Sequence, residues 1–116
     1  MKNFIQSGHT VTAILLAAAT SGDGVLIENL FGVASTDGAI GDECELQVTG
    51  VFTLPKKSAD EPAQFQVAYW DPVNDELTVT ATSNYRVGVF MDTLASGTTT
   101  AAVRLDGTAI IQEAGA

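Results

Sequence analysis

The chain has 116 residues, 46% hydrophobic and 16% charged, with 5 Lys plus Arg against 14 Asp plus Glu and a formal net charge of −9. That length fits one domain with one modest core, and the apolar share is too high for a disordered chain. The acidic excess excludes a nucleic-acid groove or an anionic membrane surface, which need clustered Lys and Arg; one Cys and one His exclude an intramolecular disulfide, a multi-Cys zinc site and a His-rich metal site.

Lys2 followed by the apolar residues 11–19 (VTAILLAAA) imitates a secretory leader ending in Ala-x-Ala. The stretch is too short to span a bilayer, which takes about 20 residues. Thr10 and Thr12 also interrupt its start. The preferred reading is a first strand over residues 8–14 followed by a buried apolar turn. Residues 13–20 are rich enough in Ala and Leu for a helix but lack a polar face, so their state stays open.

From there a Gly, Asp or Asn turn recurs every ten or so residues between β-branched runs, the rhythm of a small sandwich or barrel. Gly22-Asp23-Gly24 opens the run 24–36 (GVLIENLFGVAST), and Asp37-Gly38 closes it. Residues 43–54 (ECELQVTGVFTL) alternate most clearly. Cys44, Leu46, Val48, Phe52 and Leu54 share one parity, and Glu43, Glu45, Gln47 and Thr49 the other, which predicts a half-buried strand with an acidic outer face. Gly50 on the inward parity marks a bulge or a close backbone approach.

Pro55-Lys56-Lys57-Ser58 breaks the pattern, and residues 58–62 read as a surface loop. Residues 66–70 form a short strand ending at the Asp71-Pro72 turn. Residues 76–82 alternate with Leu77, Val79 and Ala81 inward, and Ser83-Asn84 makes the next turn. Residues 86–91 (RVGVFM) form a buried strand centred on Gly88, and residues 98–106 put Ala101, Val103 and Leu105 on one face. Asp106-Gly107 is a two-residue hairpin signal, across which Ala109, Ile110 and Ile111 could pair back. The expectation is all-β: a small single-domain β-sandwich or β-barrel of about seven or eight short strands. Residues 1–10 form an extended N-terminal arm, and residues 11–116 the single β domain.

Motifs for chemistry are missing. No GxxxxGK[ST] loop exists, and Gly22-Asp23-Gly24 lacks a third glycine and precedes a strand. Without a G-x-S-x-G elbow no Ser-His-Asp triad is credible. His9 reads as a solvated loop residue, and Cys44, on an inward parity, as a small hydrophobe. Asp71, Asp75 and Glu76 could hold calcium only without the EF-hand spacing, so a solvated turn is preferred. Tyr69 and Trp70 are adjacent on a strand and point opposite ways, one to the core and one outward. The reading is not an enzyme, with no catalytic residue, no metal and no cofactor.

Five strings in order nevertheless carry a resemblance: residues 21–36 (SGDGVLIENLFGVAST), 41–56 (GDECELQVTGVFTLPK), 67–71 (VAYWD), 86–93 (RVGVFMDT) and 101–107 (AAVRLDG). Together they resemble the capsid cement, or head decoration, proteins of tailed bacteriophages. Two departures stand out: Ala63-Gln64-Phe65 where a glycine often precedes the Y-W-D strand, and Glu28 where a small residue is usual. The resemblance implies a β-tulip-like fold. It also implies a structural virion protein, made in the bacterial host cytoplasm, that binds the capsid exterior and staples neighbouring major capsid protein subunits against internal DNA pressure. A homotrimer is favoured by analogy, with a dimer as the alternative; neither nucleic acid nor membrane is a partner. Candidate capsid contacts are Lys2, Asn3, Phe4, Ile5 and Gln6 of the arm, which could add as a strand to a coat-protein sheet edge, and Lys56 and Lys57, the one pair of adjacent positive charges. The alternative is a secreted bacterial β-sandwich binding module with residues 1–19 as a signal peptide.

Overall fold

The structure, a computed structural model, describes residues 8–113. They form nine strands: β1 (Thr10–Ile14), β2 (Gly24–Ile27), β3 (Leu30–Ala34), β4 (Glu43–Gln47), β5 (Thr49–Pro55), β6 (Val67–Asp71), β7 (Glu76–Thr78), β8 (Tyr85–Phe90) and β9 (Thr100–Asp106). The strands make two antiparallel sheets, ordered β1-β4-β3-β2 and β5-β9-β8-β6-β7. The all-β expectation holds, and the described residues contain no helix, so none is long and apolar enough to cross a membrane.

The nine strands exceed the expected seven or eight because two runs are divided. The run 24–36 folds on itself as the β2–β3 hairpin, with Ile27 paired to Leu30. Glu28 takes the turn at φ 51, a left-handed conformation that a non-glycine residue enters at a cost. No Gly, Asp or Pro breaks the run before Glu28-Asn29, so the pattern reads as one strand. The run 43–54 is also divided: β4 lies in one sheet and β5, which extends to Pro55, in the other, with Val48 between them. Its parity is as expected, since Cys44, Leu46, Val48 and Leu54 are buried. Gly50 lies in register opposite Leu105 at φ 122, so it is a backbone twist and not a bulge. The bulge lies instead where β6 meets β8, between Ala68 and Tyr69.

The five-stranded sheet curls until its two edges approach. Lys56, just past β5, bridges Leu77 of β7 in parallel, and the Lys57 N–H donates to the Leu77 carbonyl at 2.9 Å. Inside the curl lie Leu54, Ala68, Trp70, Leu77, Phe90, Val103 and Leu105. The four-stranded sheet reaches over this core through Phe31 and Val33, and the Phe31 and Trp70 rings sit 4.8 Å apart and tilted. A second cluster, of Leu15, Ala19, Ala34, Cys44, Leu46 and Val48, lies on the other side of that sheet.

Residues 13–20 are not helical. After β1 they form a loop tied to the 38–42 turn by the pairing of Ala19 with Gly38 and by the Gly41 N–H to the Leu15 carbonyl. Leu15 and Ala19 are buried, but Leu16 is 61% exposed, so the expected buried apolar turn is only half buried. A leader ending at Ala19 would carry away β1 and two core residues. Past β9 residues 109–111 do not pair back onto β9, because β5 and β8 already occupy both its sides, and the chain meets the start of β8 through an antiparallel bridge of Gln112 with Tyr85. Ile110 is pinned instead to the β2–β3 turn: its N–H donates to the Asn29 carbonyl at 2.8 Å, and Asn29 Nδ2 donates to its carbonyl at 2.7 Å.

Glycine changes at two places carry opposite signs. A methyl at Gly88 would collide with the Arg104 carbonyl oxygen of the neighbouring strand. We expect Gly88→Ala to cost about 2–4 kcal/mol and Glu28→Gly to stabilise by up to about 1 kcal/mol, read as shifts in a urea unfolding midpoint.

Candidate functional site

The residues singled out from the sequence are treated unequally by the fold. Lys2, Asn3, Phe4, Ile5 and Gln6 lie outside the described residues. The end of the arm that is described is anchored: the His9 carbonyl accepts from the Val48 N–H at 2.9 Å, and His9 Nδ1 lies 2.9 Å from Thr49 Oγ1. The arm therefore enters the fold at the point where the chain passes between sheets, and it continues into β1, an edge strand.

The paired charges expected on the 55–62 loop are not both at the surface. Lys57 is exposed, but Lys56 is 3% exposed. Its Nζ donates to the carbonyls of Lys57 at 2.6 Å and Asp60 at 2.7 Å. The Asp60 carboxylate in turn accepts from Thr78 Oγ1 at 2.6 Å and from the Val79 N–H at 3.0 Å. These bonds clasp the end of β5 to β7, so the Lys56 ammonium holds the curl shut and is not presented outward. Pro62 is buried as well, and the loop is tied to residues 94–97 by the Leu94 N–H to the Pro62 carbonyl and the Gly97 N–H to the Ser58 carbonyl. A run of Pro, Lys, Ser and Asp reads as solvated because the sequence does not reveal which carbonyls converge on one amine.

Asp71 organises the β6–β7 turn. Its carboxylate accepts from the backbone N–H groups of Val73 and Asn74 and from Asn74 Nδ2. Burial pushes this carboxyl up, but the hydrogen bonds from Asn74 and Val73 and the charge of Lys57 outweigh it and hold the group below the ordinary range. Among the described residues no group of three or more His, Cys, Asp and Glu gathers to hold a metal ion. Cys44 is buried with its Sγ 3.5 Å from the Thr36 carbonyl, Trp70 is core, and Tyr69 is half-buried.

One concavity was not legible from the sequence. It is a groove of about 480 Å³ running along the outer edge of β2. Its lining includes Leu16, Ala17 and Ala18 from the loop after β1, Val25 of β2, Trp70, and Pro72 and Asp75 of the β6–β7 turn. β2 is an edge strand, and all four of its residues are half-buried. Apolar residues cluster near the same end of the molecule, where Ile14, Leu16 and Ile40 are 54%, 61% and 71% exposed. The only hint in the sequence is the apolar run 11–19, which is longer than one strand needs.

Two measurements check the clasp and the turn. Lys56→Met keeps the stem and removes the ammonium; we expect a loss of about 1–3 kcal/mol in chemical unfolding. Because Asp71 titrates below its unfolded value, its stabilisation is complete above about pH 3.9 and fades as pH falls through the lowered value. The stability gap between the parent protein and Asp71→Asn should therefore be open at neutral pH and close in acid.

No curated protein and no solved structure matches the chain. The family model of phage cement proteins matches residues 5–105, most of the length and every strand but the last residue of β9. With its strands in place and its recognisable strings spread across both sheets, the chain belongs to the phage cement protein family.

Proposed function

We propose that this protein binds the outer surface of an assembled phage head and holds neighbouring major capsid protein subunits together against the outward push of packaged DNA. The observation that carries the reading is membership of the phage cement protein family over residues 5–105. The physics of the fold is consistent with that work. A domain of two sheets with ordered turns resists deformation, and seating it across a subunit junction adds buried area that must be broken before the subunits slide. Each contact can be modest if several copies act together, because linked contacts raise avidity by about 10²–10⁴. A homotrimer seated at a threefold junction is the favoured assembly, and a dimer on a twofold the alternative. The net charge of −9 suits an exposed outer face and keeps the free protein soluble before assembly.

The arm is the proposed contact. Lys2, Asn3, Phe4, Ile5 and Gln6 mix apolar and hydrogen-bonding side chains, as a strand added to a coat-protein sheet edge requires. Support comes from the anchoring of His9 and from the edge position of β1, which together give the arm a fixed point of departure. Lys57, exposed beside the clasp, is a second contact that would meet an acidic coat patch.

Purified protein should cosediment with expanded heads, and heads carrying it should survive heating that disrupts bare ones. Deleting residues 2–7 should abolish cosedimentation while leaving the unfolding transition of the free domain in place. Heads equally resistant with and without the protein would overturn the cementing role.

A further inference from the structure

We propose that the groove along β2 is a second docking site, which receives an extended segment of a coat subunit carrying a basic residue beside apolar ones. The inference rests on the capsid-binding reading above and adds a site to it.

The backbone of β2 supplies the first argument. In a two-residue hairpin the closing pair is hydrogen-bonded and pairs alternate from there, so Ile27 and Val25 face β3 while Leu26 and Gly24 turn their N–H and C=O groups away from it. The Ala34 N–H donates to the Asp23 carbonyl at 2.9 Å, which fixes the same alternation one step further. Gly24 and Leu26 are both lining residues of the groove.

The second argument is what β2 lacks. Exposed edges are ordinarily blunted by Lys, Pro or bulges. The sequence of β2 is GVLI, paired to β3 without a register shift. The other edges differ: β5 and β7 are drawn together by the Lys56–Leu77 bridge, and β1 carries Thr10 and Thr12, with Thr12 bonded to Glu45 at 2.8 Å. An apolar, unblunted edge flanked by exposed Leu16 is the edge that an assembled partner would cover.

Charge identifies the occupant. Asp23 and Asp75 are exposed residues of the groove lining, so a basic residue beside the inserted strand is favoured. Among the described residues a second copy offers no such segment. Arg86 and Arg104 lie in β8 and β9, each paired on both sides; Lys56 is buried, and the Lys57 backbone is already bonded to Leu77. A strand from the coat subunit meets the requirement, and Leu16, Ala18 and Pro72 of the groove lining would receive its alternate apolar side chains.

Hydrogen exchange on decorated heads tests this directly, with the free protein as reference. The Gly24 and Leu26 amides should slow by about tenfold or more on the head, and Ala18→Trp, which fills the groove from an exposed position, should weaken cosedimentation without shifting the unfolding midpoint. Protein that cosediments while these amides exchange as fast as in solution would overturn the groove and leave the arm as the contact. Slow exchange already present in the free protein and lost on dilution would assign the groove to a second copy and overturn the coat segment. Failure to cosediment at all would overturn the capsid-binding reading itself.

Discussion

The passage of one continuous run of chain from one sheet to the other through Val48 is the constraint on which the rest of the structure depends. β4 ends at Gln47 in the four-stranded sheet and β5 begins at Thr49 in the five-stranded sheet. One residue cannot relax as a loop, so the orientation of each sheet is fixed by the other. Val48 is 3% exposed, and its N–H is held by the His9 carbonyl. The same bond anchors His9, so the sheet junction and the root of the arm are one structural point. Phe31 and Val33 complete the coupling by placing apolar side chains of the four-stranded sheet in the core of the curled one.

Much of the fold was legible because it depends on alternation, and alternation survives in a single sequence. Cys44, Leu46 and Leu54, and likewise Ala101, Val103 and Leu105, are buried as their parity requires. The two departures from the cement-protein pattern are also informative. Glu28 stands where a small residue is usual and Ala63-Gln64-Phe65 where a glycine often is, and the backbone is left-handed at Glu28 and at one residue of that segment, Phe65, at φ 51 and 66. The resemblance located positions with a special backbone demand even though the residues themselves gave no sign of it.

What was not legible has a common cause: parity reports which way a side chain points but not which sheet it points into. The run 43–54 keeps its alternation across the sheet change, so nothing in the pattern marks Val48. Asp106-Gly107 has the chemistry of a hairpin turn, yet Ile110 goes to Asn29 because both sides of β9 are occupied. Lys56 has the composition of a surface residue, and its burial depends on carbonyls of Lys57 and Asp60 converging on one amine. Each of these outcomes was decided by contacts between distant parts of the chain. For the candidate site, the arm was readable as a mixed apolar and polar segment, whereas the groove exists only because residues 16–27 and the β6–β7 turn come together.

The disposition of edges relates the fold to the proposed work. Two sheets have four edges, and the Lys56 clasp draws β5 and β7 together, which leaves β1 and β2 as the open ones among the described residues. Both belong to the four-stranded sheet and lie on its opposite sides, separated by β4 and β3. On the proposed reading the arm departs from the first and the groove follows the second. A load pulling two coat subunits apart would then pass through β1, β4, β3 and β2 across their ladder hydrogen bonds. β3 is the most deeply buried strand of that sheet, with Phe31 and Val33 in one core cluster and Ala34 in the other. A sheet loaded at both edges needs its centre anchored from both faces, and burial of β3 in two cores supplies that anchoring.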